Sequence, residues 1–189
     1  MAVAPSWYVI TSRHPLARWF NVLHLPLTAW HLSYVVLGAM LAVQVNWALL
    51  GWTVLAFFLG MGLGAHAFDL LNGDPLKLNI NRGTLLVVGF LALMVAVWIG
   101  IWQAALGNVP QPLAISCAIG VVFATGYGLE WRWLHGDWQF ASWWAVFPLL
   151  VGYWVQGLAF HPALVPLACF AFCSAYAQRV LSKQARYLR

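Results

Sequence analysis

The chain has 189 residues, 63% of them hydrophobic and 7% charged, with 9 basic and 4 acidic side chains and a formal net charge of +5. Soluble domains carry about 25% charged residues and roughly 45–50% apolar ones, so this composition excludes an ordinary soluble domain and points to an all-α bundle in a lipid bilayer. No soluble surface exists to present the positive excess to nucleic acid; contact with anionic lipid accounts for it.

Residues 1–25 place Arg13 and Arg18 after a short apolar piece, with no small-residue cleavage site behind a hydrophobic core. This reads as a mature interfacial segment rather than a secretory signal. Residues 26–181 read as the transmembrane bundle and 182–189 as a basic cytoplasmic tail. Six apolar stretches are predicted to span, over 27–45, 47–69, 84–106, 111–130, 140–160 and 162–181; each approaches the roughly 20 residues a spanning helix needs. Turn residues separate them: Asn46, "NGDP" at 72–75, "GNVPQP" at 107–112, "HGD" at 135–137 and "HP" at 161–162.

With about six spans, every basic residue falls on one side: Arg13, Arg18, Lys77, Arg82, Arg132, Arg179, Lys183, Arg186 and Arg189. The loops on the other side carry no charge. Cytoplasmic loops retain Lys and Arg, so both termini are expected in the cytoplasm, in a bacterial or archaeal cytoplasmic membrane. Trp131, Trp133, Trp138, Trp143 and Trp144 fall where the fourth and fifth spans meet that interface and read as an aromatic belt. Cys117, Cys169 and Cys173 lie in apolar runs and read as small hydrophobes.

The four acids occupy two places, Asp69 and Asp74 after the second span, Glu130 and Asp137 after the fourth. "LNGD" at 71–74 and "LHGD" at 134–137 echo one another there. A carboxylate near hydrocarbon is costly unless hydrated, paired or metal-bound, which makes these residues functional candidates. Gly62, His66 and Asp69 share one helical face, and Gly60 with Gly64 gives the small-residue spacing of close helix approach. Gly120, Ala124 and Gly128 form a similar strip ahead of Glu130.

Carboxylates from two loops suit Mg²⁺, which leaves positions free for water and substrate phosphate. The candidate metal set is His66, Asp69, Asp74, Glu130 and Asp137, with Asp69 and Glu130 as the catalytic pair. Lys77, Arg82, Arg132 and Asn72 are the candidate substrate contacts. The competing reading pairs Asp69 with Arg82 or Lys77 and Glu130 with Arg132, and makes Asp74 a turn residue. His24, His31 and His161 offer a further alternative, as axial ligands for haem or a chlorin pigment.

This pattern resembles the UbiA-type intramembrane prenyltransferase superfamily. "LPLTAWHLSYVVLGAMLA" at 25–42 is similar to the family's first helix, and "GAHAFDLLNGDPLKLNINR" at 64–82 to the region of its first aspartate motif. More distantly, "YGLEWRWLHGDWQFASWWAVFPLLVGYW" at 127–154 and "AQRVLSKQARYLR" at 177–189 resemble stretches of UbiA-like membrane proteins. By position His66 stands where the motif has its first aspartate, Asp69 matches the next, and Asp74 falls one residue beyond the last. In place of the second D-x-x-x-D motif the chain has Glu130 and Asp137. The resemblance implies a membrane bundle that binds an isoprenoid or quinone-type lipid, with Mg²⁺ holding a diphosphate for prenyl transfer. The other reading is a non-catalytic transmembrane subunit of a larger complex that binds lipid, quinone or pigment.

Overall fold

The computed structural model describes residues 8–12, 14–157 and 159–187, with the side chains of 186 and 187 excepted. Residues 1–7 and Arg13 of the expected interfacial segment, and residues 188–189 of the tail, lie outside the described residues. Among the described residues all regular structure is helical: α1 (Pro15–Val22), α2 (Leu25–Ala39), α3 (Trp47–Asn72), α4 (Arg82–Ala105), α5 (Gln111–Gly128), α6 (137–154) and α7 (Leu164–Tyr187).

The chain is helical in all six predicted places. By length and apolarity α3, α4, α5 and α7 can cross a membrane, and α1 with α2, bent by 45° at their break, makes a fifth candidate. Helix α6 is lower in mean hydropathy because Asp137, Gln139 and three tryptophans occupy its first two turns. Helix α2 stops at Ala39, short of the expected 45, and a turn over 40–46 leads to Asn46, whose side chain accepts from the Leu49 N–H at 3.0 Å and starts α3. Helix α7 continues through Tyr187, into the residues of the expected basic tail.

Local signals explain the other ends. Asn81 caps α4 by accepting from Gly83 and Thr84, prolines open α1 and α2, and Gly107 closes α4 with a φ of +73°. Two helices widen into π turns, Phe58–Ala65 in α3 and Ser142–Val146 in α6. Such turns add a residue per turn and redirect the side chains that follow them.

Glycines set the closest helix contacts. Helices α2 and α6 cross at Gly38 and Gly152: a Cβ on Gly38 would overlap the Leu149 carbonyl oxygen, and one on Gly152 the Val35 carbonyl oxygen. Gly60 and Gly64 face α4 as their spacing predicts, against Leu93. Gly128 of α5 sits against α3, where a Cβ would stand 2.8 Å from the Ala65 carbonyl oxygen and 2.9 Å from Phe68 Cβ. In lipid, where apolar surface alone does not drive helices together, such backbone proximity supplies the packing energy. The Tyr34 hydroxyl, 2.7 Å from Ser174 Oγ, ties α2 to α7.

Charge separates between the two ends of the bundle. At one end the turns over 40–46, 106–110 and 155–163 contain no Asp, Glu, Lys or Arg; Asn46 N–H donates to Gln156 Oε1 at 2.9 Å, and the Tyr153 hydroxyl donates to the Ala159 carbonyl. At the other end Arg18 reaches the Leu78 and Asn79 carbonyls at 3.5 and 3.4 Å, and Arg82 caps α3 through the Leu71 carbonyl at 3.0 Å. Between the ends, α4 turns Leu86, Phe90 and Trp98 outward, an apolar exterior matched to acyl chains.

Candidate functional site

The last turns of α3 emerge from its π segment and carry His66 and Asp69 at the charged end. His66 Nδ1 lies 3.0 Å from the Gly62 carbonyl oxygen, and its ring centroid is 5.0 Å from that of His24. His24 occupies the α1–α2 break with a left-handed backbone, φ +42°, and its Nδ1 is 3.4 Å from the Tyr8 hydroxyl. Non-glycine residues adopt that conformation at a cost, and such positions cluster at functional sites.

Asp69 forms no hydrogen bond or ion pair with a described residue; the charges that act on it are those of His24, Glu130, His135 and Arg179. Neither expected pairing of the structural reading occurs. Arg82 is engaged with the Leu71 carbonyl, and Arg132 lies over the Trp133 ring at 5.6 Å. Glu130, φ +56°, follows α5 and is exposed, with no ion pair among the described residues. Asn72 donates to the Gly128 carbonyl at 2.8 Å, so this expected substrate contact instead joins the end of α3 to the end of α5 and sets Asp69 near Glu130.

The other two acids are engaged elsewhere. Asp74 accepts from the Leu78 and Asn79 N–H groups at 2.9 and 2.8 Å and closes the loop that holds Lys77, φ +53°. Asp137 pairs with Lys183 at 2.5 Å and Arg179 at 3.4 Å, and the Lys183 ammonium, with Arg179 beyond it, holds its carboxyl below the usual carboxylate range. Of the five candidate ligands only His66, Asp69 and Glu130 remain on one side of the site. Among the described residues no three His, Cys, Asp or Glu side chains converge as a metal-ligand group.

The candidate haem ligands are dispersed. His24 faces His66; His161, at the uncharged end, accepts from the Ala163 N–H at 3.1 Å. His31 is 5% exposed and packed against Trp30, Tyr34, Phe140 and Trp144, where neither ring nitrogen completes a hydrogen bond of normal geometry.

Three residues outside the expected set complete the charged end. The His135 ring stacks on Tyr127 at 4.4 Å and its Nδ1 lies 3.1 Å from the Tyr127 carbonyl oxygen. Arg179 Nη2 is 3.3 Å from His135 Nε2, and its guanidinium lies 5.8 and 5.3 Å from the Tyr127 and Phe140 rings. An arginine inside the last apolar stretch expected to span, 162–181, was the signal for Arg179; the second "GD" echo was the signal for His135.

Deeper in the bundle, α3, α4, α5 and α6 line a partly open apolar chamber of about 120 Å³. Its lining contains no charged residue. Both π turns contribute wall: Gly60 and Met61 from the first, Trp143 and Trp144 from the second. Trp144 is 8% exposed, an inner wall rather than a belt residue, whereas Trp131, Trp133 and Trp138 face outward. Its ring is 5.2 Å from Tyr127 and 6.2 Å from His31, so one indole separates the chamber from the charged end. Comparison of this chain with protein-family models, curated proteins and solved structures finds no match in any of the three.

Proposed function

We propose that the protein is a UbiA-like bundle of six spans, both termini in the cytoplasm of a bacterial or archaeal membrane, that binds an isoprenoid or quinone-type lipid. In this reading the chamber takes the apolar body of the lipid, and its polar end lies toward Asp69, His135 and Arg179. The observation that carries the proposal is the wall formed by Trp144, which touches the uncharged chamber on one side and Tyr127 of the charged end on the other. Helix α6 serves as the sixth span because its tryptophans, which lower mean hydropathy, are tolerated at the boundary and in the protein interior. The confinement of described basic side chains to one end supports the cytoplasmic assignment.

The proposed role is binding of the lipid. Whereas Asp74 closes its loop and Asp137 pairs with Lys183 and Arg179, Asp69 and Glu130 are the two carboxylates that neither form an ion pair nor accept a backbone hydrogen bond among the described residues. They serve here as acceptors for a polar group.

Mass spectrometry of lipid extracted from protein purified from its native membrane tests the proposal. Isoprenoid lipid is expected to be enriched several-fold over the bulk membrane. Gly60 lines the chamber, and a Cβ there meets only Leu93 and Ala96 at ordinary contact distances, 3.8 and 3.9 Å. Gly60→Ala is therefore expected to fold and to reduce that enrichment. A lipid profile identical to the bulk membrane in both proteins would sink the reading.

A further inference from the structure

The chain has 9 basic and 4 acidic side chains, and among the described residues the ion pairs engage one acid, Asp137, with Arg179 and Lys183. Three other cations at the charged end have no carboxylate partner among the described residues. Arg18 of α1 reaches only the Leu78 and Asn79 carbonyls, at 3.5 and 3.4 Å, and Arg82 only the Leu71 carbonyl, at 3.0 Å. The exposed Lys77 side chain makes no hydrogen bond or ion pair with a described residue. Asp74, the acid of the same loop, has both oxygens engaged by the Leu78 and Asn79 N–H groups. None of the three cations is among the charges that act on Asp69, so they stand apart from the polar end of the bundle discussed above.

Apolar contacts hold this patch in place. Leu78 is buried, and Leu76 and Ile80 pack against the same core. The loop between α3 and α4 is thus anchored inward at alternate residues while Lys77 and Asn79 are exposed. Arg18 belongs to α1, 60 residues earlier in the chain than Leu78, and α1 is in turn tied to the segment before it by two hydrogen bonds of 2.9 Å between the Asn21 side chain and the Ile10 backbone. Beside the cations, apolar side chains are bare: Leu16 and Phe20, one turn apart on α1, and Leu86, one turn along α4 from Arg82, are all exposed. Unpaired cations next to exposed apolar side chains match a molecule that is charged at one end and apolar at the other, as basic interfacial helices do.

We propose that Arg18, Lys77 and Arg82 form a headgroup site for an anionic phospholipid at the charged end of the bundle, its phosphate bridging α1 and the start of α4 and its acyl chains lying along Leu16, Phe20 and Leu86. This lipid lies outside the chamber, and the site is independent of what the chamber holds. Guanidinium groups suit phosphate oxygens in pairs, and the lysine adds a point charge. Each cation near anionic headgroups strengthens the attraction about fivefold. A zwitterionic headgroup offsets its phosphate with its own ammonium, so the site selects by net charge.

Native mass spectrometry of the full chain in detergent, titrated separately with phosphatidylglycerol and phosphatidylcholine of identical acyl chains, tests the proposal. The first phosphatidylglycerol is expected to bind at least about tenfold more tightly than phosphatidylcholine. Lys77→Gln, which removes a side chain without a described partner, and Arg18→Gln are each expected to weaken phosphatidylglycerol about fivefold and to leave phosphatidylcholine unchanged. Arg132→Gln removes the same charge from beside the Trp133 ring and is expected to change either lipid by less than about twofold. Thermal unfolding without added lipid confirms that each variant is folded. Equal binding of the two lipids overturns the proposal and leaves the patch to an acidic protein surface. A loss in Arg132→Gln equal to that in Lys77→Gln overturns it as an effect of net charge alone. Displacement of phosphatidylglycerol by inorganic pyrophosphate beyond that by sulfate at equal ionic strength overturns it in favour of a soluble phosphate.

Discussion

Gly152→Leu is expected to prevent assembly of the bundle, and Gly152→Ala and Gly38→Ala to lower its stability by about 3 kcal/mol each, the upper part of the range for overpacked interiors. At both positions the incoming Cβ would meet a main-chain carbonyl of the facing helix, Leu149 or Val35. A side chain in its path could rotate away; a backbone carbonyl moves only if the helix moves. The crossing of α2 and α6 would open, and with it the packing of Tyr34, Leu149 and Tyr153, each at most 1% exposed. Gly51 provides the control: a Cβ there meets nothing within 4 Å, so Gly51→Ala is expected to be neutral. Thermal unfolding in one detergent, followed by loss of monodisperse protein, reads all four variants. Equal melting temperatures for the Gly51 and Gly152 alanine variants would show that the crossing is looser than drawn.

Removal of Arg179 is the second large effect. Its guanidinium meets His135, Asp137 and the faces of Tyr127 and Phe140, and its side chain is 17% exposed. Arg179→Ala is expected to cost about 2 kcal/mol, less than a fully buried ion pair because Lys183 remains beside Asp137. The same group gives stability an acid dependence. The Asp137 carboxyl is held below its ordinary value in the folded chain, so the unfolded chain binds its proton more readily. The contribution is present above the unfolded value, about 3.9, and is lost as pH falls through the lower folded value. Asp137→Asn should therefore reduce stability at neutral pH and flatten the decline below about pH 4. A variant that keeps the full acid decline would assign it to other carboxylates.

Much of this architecture is legible residue by residue. The apolar stretches become helices at the predicted places, Asn46 and Asn81 cap the helices they precede, and Gly60 and Gly64 face a neighbouring helix. The site was legible only in outline. Asp69 and Glu130 do lie near one another, yet through Asn72 and Gly128, whose hydrogen bond joins two segments far apart in sequence. Asp74 and Asp137 have the same charge and the same "GD" context, but a backbone loop engages one and α7 the other. No spacing rule separates them, because a carboxylate's partner depends on which helix arrives beside it.

The sequence by itself determined a membrane-borne helical protein with its charges gathered at one end. Those properties follow from hydropathy and charge, which add along the chain independently of how helices pack. Tertiary structure decided what lies between the ends. The widened turns in α3 and α6 swing Met61, Trp143 and Trp144 into a common chamber, and Trp144 meets Tyr127 from another helix. A π turn reflects strain and packing more than local composition, and a chamber exists only where four helices leave the space between them unfilled.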